Sequence, residues 1–172
     1  MRNHGRSKIA IRKERQFKPM KTIYIAYGSN LNHQQMTERC PKAIYIGSTI
    51  LKGWRLIFKS VATIEKDIGK EVPVGVFEIS DQCEKALDVY EDYPQLYDKH
   101  KLDINLNGKL VTAMTYVMVA NYGIAPPSKK YFDVISDGYK NCGLDPDFLF
   151  EAKEHSIKAD SGEGYKSARW NK

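Results

Sequence analysis

The sequence predicts an α+β fold, a small mixed or antiparallel β-sheet or β-barrel surrounded by helices, on three observations. Strand-like runs outnumber helical ones and do not alternate strictly with them. The dipeptide Asn107-Gly108 sits between an alternating apolar run and a second strand-like run, which marks an antiparallel hairpin. No internal repeat is present, and 172 residues suffice for one domain with its own core.

Each element has a local reason. Thr22–Tyr27 is β-branched and aromatic, and it stops at the turn cluster Gly28-Ser29-Asn30. Asn32 can cap a short helix over His33–Arg39, which Pro41 ends. Ala43–Leu51 and Trp54–Lys59 read as two strands around Gly53, and Val72–Ile79 as another. Asp81 followed by Glu84 is a capping-box signature for a helix reaching Glu91 or Asp92, and Pro94 forbids its continuation. Leu102, Ile104 and Leu106 alternate with polar residues up to Asn107-Gly108, which suits a type I′ turn. The return strand Leu110–Val119 is apolar on both faces, so a central, buried position is expected. Ser128 caps a helix with Tyr131, Val134, Ile135 and Tyr139 on one face, ended by Gly143. Asp145-Pro146 opens the last helix, with Pro at its first position.

Charge divides the chain more sharply than length does. The 27 Lys and Arg against 21 Asp and Glu give a net charge of +6. Residues 1–21 hold eight of those bases and one acid, while the other 151 residues carry 19 bases against 20 acids. Basicity therefore belongs to a leader, expected to be a disordered, solvated tail. The expected organisation is this leader at 1–21, a domain at 22–157 and an irregular polar tail at 158–172. Nucleic acid is not an expected partner of the domain; only the leader could touch it, weakly. No stretch approaches the ~20 apolar residues of a membrane helix, so no membrane partner is expected. Cys40, Cys83 and Cys142 are odd in number and far apart, without a C-x-x-C pair, so neither a disulfide framework nor a zinc site is expected. Three buried thiols in a reducing cytoplasm fit this pattern. His4, His33, His100 and His155 show no metal spacing, so no metal is expected.

Two features can carry chemistry. At Tyr27-Gly28-Ser29-Asn30 a glycine permits a tight backbone, and successive amides can form a concave nest for a carboxylate or phosphate. The stretch matches neither a Walker loop nor G-x-G-x-x-G, and a plain turn is the alternative. The second feature is Glu91. On its helix, Glu84, Asp88 and Asp92 form one row, read as a solvated face, while Cys83, Leu87 and Glu91 form another. A carboxyl group closing an apolar row can be desolvated, its pKa raised toward neutrality, and so made able to take and return a proton. A Glu91 facing water is the alternative. Eleven tyrosines, Tyr90, Tyr93, Tyr122 and Tyr139 among them, suit pocket walls and core edges equally.

The order of these motifs resembles the γ-glutamylcyclotransferase family. Tyr24-Ile25-Ala26-Tyr27-Gly28-Ser29-Asn30-Leu31 looks like its Y-G-S-N loop. Leu87–Glu91 followed by Tyr97 looks like its L-D-x-x-E helix end and the tyrosine after it, and Pro127-Ser128-Lys129-Lys130-Tyr131 resembles its P-S-x-x-Y helix. The likeness runs from about Thr22 to Leu144. It implies a small β-barrel with helices around it, working without cofactor or metal on a small γ-glutamyl substrate, with a homodimer as the usual assembly. The implied reaction is cleavage of a γ-glutamyl amide by its own α-amine, releasing 5-oxoproline and a free amine or amino acid, an amide-bond lyase formerly classed as an acyltransferase. Glu91 would be the general acid/base; Tyr24, Ile25, Ala26, Tyr27, Gly28, Ser29 and Asn30 would hold the glutamyl group, with Tyr97, Tyr116 and Tyr131 in the pocket. Fold does not fix substrate, so three alternatives stand: a specialised γ-glutamyl conjugate, a non-catalytic module binding small carboxylates, and a nucleic-acid-associated protein working through its leader.

Overall fold

A computed structural model describes residues 21–171, so residues 1–20 of the basic leader lie outside the described residues, and Lys21 opens the first strand. The mixed sheet expected from the sequence is present. Strands β1 (Lys21–Ala26), β2 (Ile44–Phe58), β3 (Ala62–Ser80), β4 (Tyr97–Leu106) and β5 (Lys109–Met118) run in the order β2-β3-β1-β5-β4. All pairings are antiparallel except β1 with β5, which meet in parallel at Tyr24 and Met114. The sheet does not close into a hydrogen-bonded barrel. Its edge strands β2 and β4 do approach, since the Thr49 hydroxyl donates to the Asn105 carbonyl at 2.5 Å.

Several boundaries depart from the sequence pattern for identifiable reasons. The two strands expected around Gly53 are one, because Gly53 at φ +80° absorbs a shift of register between Lys52 and Trp54. The charged stretch after Ala62 continues β3 rather than forming a loop, paired to β2 through Glu65 opposite Arg55. Strand β5 is interior in the sheet, but only its second half is buried, because β1 is short and reaches only that half. Asn107 and Gly108 at φ +52° and +80° make the turn that a tight hairpin requires.

Four helices pack around the sheet: α1 (His33–Arg39), α2 (Asp81–Tyr90), α3 (Lys129–Cys142) and α4 (Asp147–Lys158). Asn32 caps α1 and Ser128 caps α3, each side chain accepting from a backbone amide three residues on, and Gly143 at φ +62° closes α3. Ser80, one residue before the expected Asp81, caps α2 by accepting from the Cys83 amide at 3.2 Å. Pro146 likewise lies one residue before α4. Ile25, Leu87, Ile135 and Leu149 are wholly inaccessible and mark the core. Gly138 lets α3 touch the turn after β1, since a Cβ there would lie 2.6 Å from the Leu31 Cβ.

One expectation is corrected. Cys40 and Cys83 form a disulfide, with Cα atoms 5.1 Å apart, because α1 ends beside the first turn of α2. Cys142 is a buried free thiol, as expected. The segment after α4 is irregular, yet it is pinned rather than loose: the Tyr165 amide donates to Lys59, the Ser128 hydroxyl donates to the Trp170 carbonyl, and Trp170 is buried. No described helix is long and apolar enough to cross a membrane.

Candidate active site

A cavity of about 320 Å³ opens where β1 ends, between the Gly28–Asn30 turn, the end of α2, β4, β5 and α3. The turn is a single 3-10 winding in which the Leu31 and Asn32 amides return to the Gly28 and Ser29 carbonyls. The Ser29 and Asn30 amides head that winding and have no acceptor within it. Gly28 is needed for space rather than for an unusual φ. A Cβ there would meet the Ala62 Cβ at 3.3 Å and the Tyr131 hydroxyl at 3.4 Å.

Glu91 lies at the other wall, at the C-cap of α2, where its amide still donates to the Leu87 carbonyl at 2.8 Å. The row Cys83, Leu87, Glu91 therefore continues past the last helical residue, with Cys83 and Leu87 buried and Glu91 partly exposed into the cavity. Asp92 at φ +50° then turns the chain away. Burial pushes the Glu91 carboxyl from its ordinary 4.5 up to about 7, against the opposing pull of Arg39, the Asn30 hydrogen bond and Arg169.

Asn30 joins the two walls. Its Nδ2 donates to Glu91 Oε1 and to the Tyr24 hydroxyl, both at 2.9 Å, and its Oδ1 accepts from Arg39 Nη1 at 2.6 Å. Ser29 Oγ and the Tyr90 hydroxyl are 2.8 Å apart. The guanidinium of Arg39 stacks 3.7 Å from the Tyr90 ring centroid and that of Arg169 4.1 Å from it.

Nine of the eleven residues expected at the site line this cavity. Ile25 and Ala26 do not; both are buried in β1, inside the sheet. The tyrosines differ in what their hydroxyls can still do. Tyr27 donates to the Tyr116 carbonyl and Tyr97 to the Ala62 carbonyl, each at 2.6 Å. Tyr116 presents its ring to the cavity but turns its hydroxyl to Asp88 Oδ1 at 2.6 Å. Tyr131 accepts from the Ala62 amide at 3.1 Å, so its own O–H remains available as a donor. Burial raises the Tyr24, Tyr27, Tyr97, Tyr116 and Tyr131 hydroxyls, so all five stay neutral. Among the described residues no cluster of His, Cys, Asp or Glu is arranged to hold a metal.

Three wall residues, Tyr90, Arg169 and Trp170, and Arg39 behind the wall escape a reading of the sequence. Arg39 carries one usable signal: it follows Gln35 by four residues on a short helix, and helical side chains lean back toward the N-terminus, here toward the turn. Tyr90 is one of eleven tyrosines, and its position alone does not single it out. Arg169 and Trp170 arrive from the tail, and nothing local marks them.

The sequence model described as gamma-glutamyl cyclotransferase, AIG2-like, matches residues 24–138, and the chain belongs to that family. Membership implies an enzyme. Among its relatives, the mouse gamma-glutamylcyclotransferase is 30% identical over 145 residues, 76% of this chain and 77% of its own length. The bovine gamma-glutamylcyclotransferase is 29% identical over 156 residues, 83% and 81% of the two chains. A solved gamma-glutamyl cyclotransferase superimposes with a TM-score of 0.68 at 26% identity, covering 87% of this chain and 92% of that one. An uncharacterized human protein of known structure gives 0.70 at 27% identity, covering 87% and 95%.

Proposed function

We propose that the protein cleaves a γ-glutamyl amide by intramolecular cyclisation, releasing 5-oxoproline and a free amine or amino acid, with Glu91 as the acid/base group. The observation that carries this reading is one carboxyl, raised to about 7, facing a small cavity beside the Gly28–Asn30 turn. Near pH 7 such a group is present in both protonation states, the condition for taking a proton and returning it. Glu91 would remove a proton from the substrate's α-ammonium. The freed nitrogen attacks the γ-carbonyl carbon, and Glu91 gives its proton to the departing nitrogen as the amide C–N bond breaks. Glu91 then takes the second proton carried by the ring nitrogen and hands it to the released amine. Its starting state is thereby restored.

The nucleophile is part of the substrate, so no catalytic Ser or Cys is required, and holding the substrate folded supplies a proximity advantage. Donors on the cavity wall suit the two negative charges involved. The Ser29 and Asn30 amides and the Tyr131 hydroxyl are candidates for the glutamyl carboxylate and the developing oxyanion. The leaving amine would face the wall built by Tyr90 and Arg169. The cytoplasm is the proposed setting for this small-solute chemistry, although the cysteine argument for it loses Cys40 and Cys83. A homodimer is proposed on family likeness alone.

The test is incubation with a panel of γ-glutamyl amines and γ-glutamyl amino acids, followed by assay for 5-oxoproline. Product from at least one substrate is expected, with a loss of about 10²–10⁴-fold in Glu91→Gln. No product from any substrate rejects the enzymatic reading. Binding without turnover, lost in Gly28→Val, would identify a carboxylate-binding module instead.

A further inference from the structure

We propose that Arg39 is a positioning residue for Glu91: by holding the Asn30 side-chain oxygen, it decides which end of that amide meets the carboxyl group. This rests on the reading of Glu91 as the acid/base.

The two ends of an asparagine amide are nearly equal in size and opposite in hydrogen-bonding sense. Here the NH₂ end uses its two hydrogens on Glu91 Oε1 and the Tyr24 hydroxyl, and the oxygen faces Arg39. A flipped amide would set its oxygen against the Glu91 carboxylate and its NH₂ against the guanidinium. Glu91 and Tyr24 do not forbid that flip by themselves, because a protonated Glu91 or the Tyr24 hydroxyl could donate to an oxygen. Arg39 does forbid it, since a guanidinium only donates and stays charged.

Arg39 is itself fixed from several sides. Nη2 donates to Gln35 Oε1 at 2.6 Å, Nη1 also reaches Ser29 Oγ at 3.3 Å, and the guanidinium plane rests on Tyr90. Cys40, the next residue, is bonded to Cys83 of α2, the helix that carries Tyr90 and leads into Glu91. Among the described residues Arg39 makes no ion pair within 4.0 Å, so no carboxylate cancels its charge ahead of Glu91.

The other groups around Glu91 do not duplicate this arrangement. Tyr24, Tyr27, Tyr97, Tyr116 and Tyr131, from β1, the turn, β4, β5 and α3, are neutral. Tyr90 hydrogen-bonds Ser29, and Asp92 follows Glu91 at the left-handed turn. Arg169, from the tail, is exposed and bears on Glu91 by charge alone.

The experiment is a carboxyl-carbon NMR titration of Glu91 in the full chain, paired with the pH dependence of kcat/KM for 5-oxoproline release. In Arg39→Met the Glu91 midpoint should rise by about one pH unit, and the acid limb of kcat/KM should rise with it. Arg39→Lys, which keeps the charge and one donor but loses the fork, should raise both by less. An unmoved midpoint in Arg39→Met overturns the proposal. Because Arg39→Met also removes the direct pull of the guanidinium on Glu91, Arg39→Lys, which keeps that charge, decides: an upward movement supports the assignment, and none overturns it. The NMR midpoint does not depend on turnover. A moved midpoint in a protein that forms no 5-oxoproline rejects the enzymatic reading and keeps the Arg39–Asn30–Glu91 relay, whereas an active protein with an unmoved midpoint rejects the relay alone.

Discussion

Helix α2 carries two sets of carboxylates that meet opposite fates. Glu84 and Asp88, read from the sequence as a solvated face, are covered by β4. Lys99 Nζ lies 2.6 Å from Glu84 Oε1 and 2.8 Å from Asp88 Oδ1, and the Tyr116 hydroxyl donates to Asp88 as well. Glu91, one turn past Leu87, receives a neutral amide instead of an ammonium group, and its guanidinium neighbours act from farther off. One helix thus builds a cation-paired structural cluster on one row and a carboxyl without an ammonium partner on the next. Burial and partner type both separate them: burial raises Glu91, and no ammonium group lies against it to offset that rise.

The largest contrast should lie in turnover. Glu91→Gln should lower 5-oxoproline formation by about 10²–10⁴-fold, whereas Asp88→Asn, which leaves the cavity carboxyl in place, should lower it by no more than about tenfold. Comparable losses in steady-state assays of both variants would erase the distinction between the rows. Next in size is stability at neutral pH. Lys99→Met strands two partly buried carboxylates and should cost about 1–3 kcal/mol in urea unfolding, since groups left without a partner are expensive.

The same comparison has a pH signature. Glu91 has its ordinary value of 4.5 in the unfolded chain and about 7 when folded, so between those values the folded state holds the extra proton. Stability from this group therefore falls as pH rises from about 4.5 to about 7 and is level above that. Glu91→Gln removes the penalty. The variant should gain about 1–3 kcal/mol on wild type between pH 4 and pH 8, allowing for partial exposure. The smallest effect belongs to an exposed reference pair. Lys129→Met breaks the 2.6 Å contact with Asp133 on the surface of α3 and should change stability by less than about 0.5 kcal/mol.

What the sequence displays and what it conceals follow from the range of the interactions. The Gly28 turn, the end of α2 ahead of Pro94, the Asn107-Gly108 hairpin and the capping of α3 by Ser128 are set within a few residues, and all are visible in the chain. Glu91 is visible because its row is apolar up to that point. The solvated reading of Glu84 and Asp88 failed because Lys99, which covers them, belongs to a strand whose place only the sheet order decides. Cys40 and Cys83 were unreadable as a pair for the same reason: 43 residues separate them, and helix packing joins them. Arg169 and Trp170 belong to a polar tail with no periodicity, yet tertiary contacts carry them to the cavity wall. The continuation of β3 beyond Ala62 was hidden by charges that face their partners across the hairpin rather than a core.

The most direct test is the pH profile of kcat/KM for 5-oxoproline release from the best γ-glutamyl substrate, in wild type and in Glu91→Gln. With Glu91 as the base, the wild-type profile rises through a limb centred near pH 7, and the residual activity of the variant lacks that limb. The same limb in Glu91→Gln, or an undiminished rate, would contradict the account.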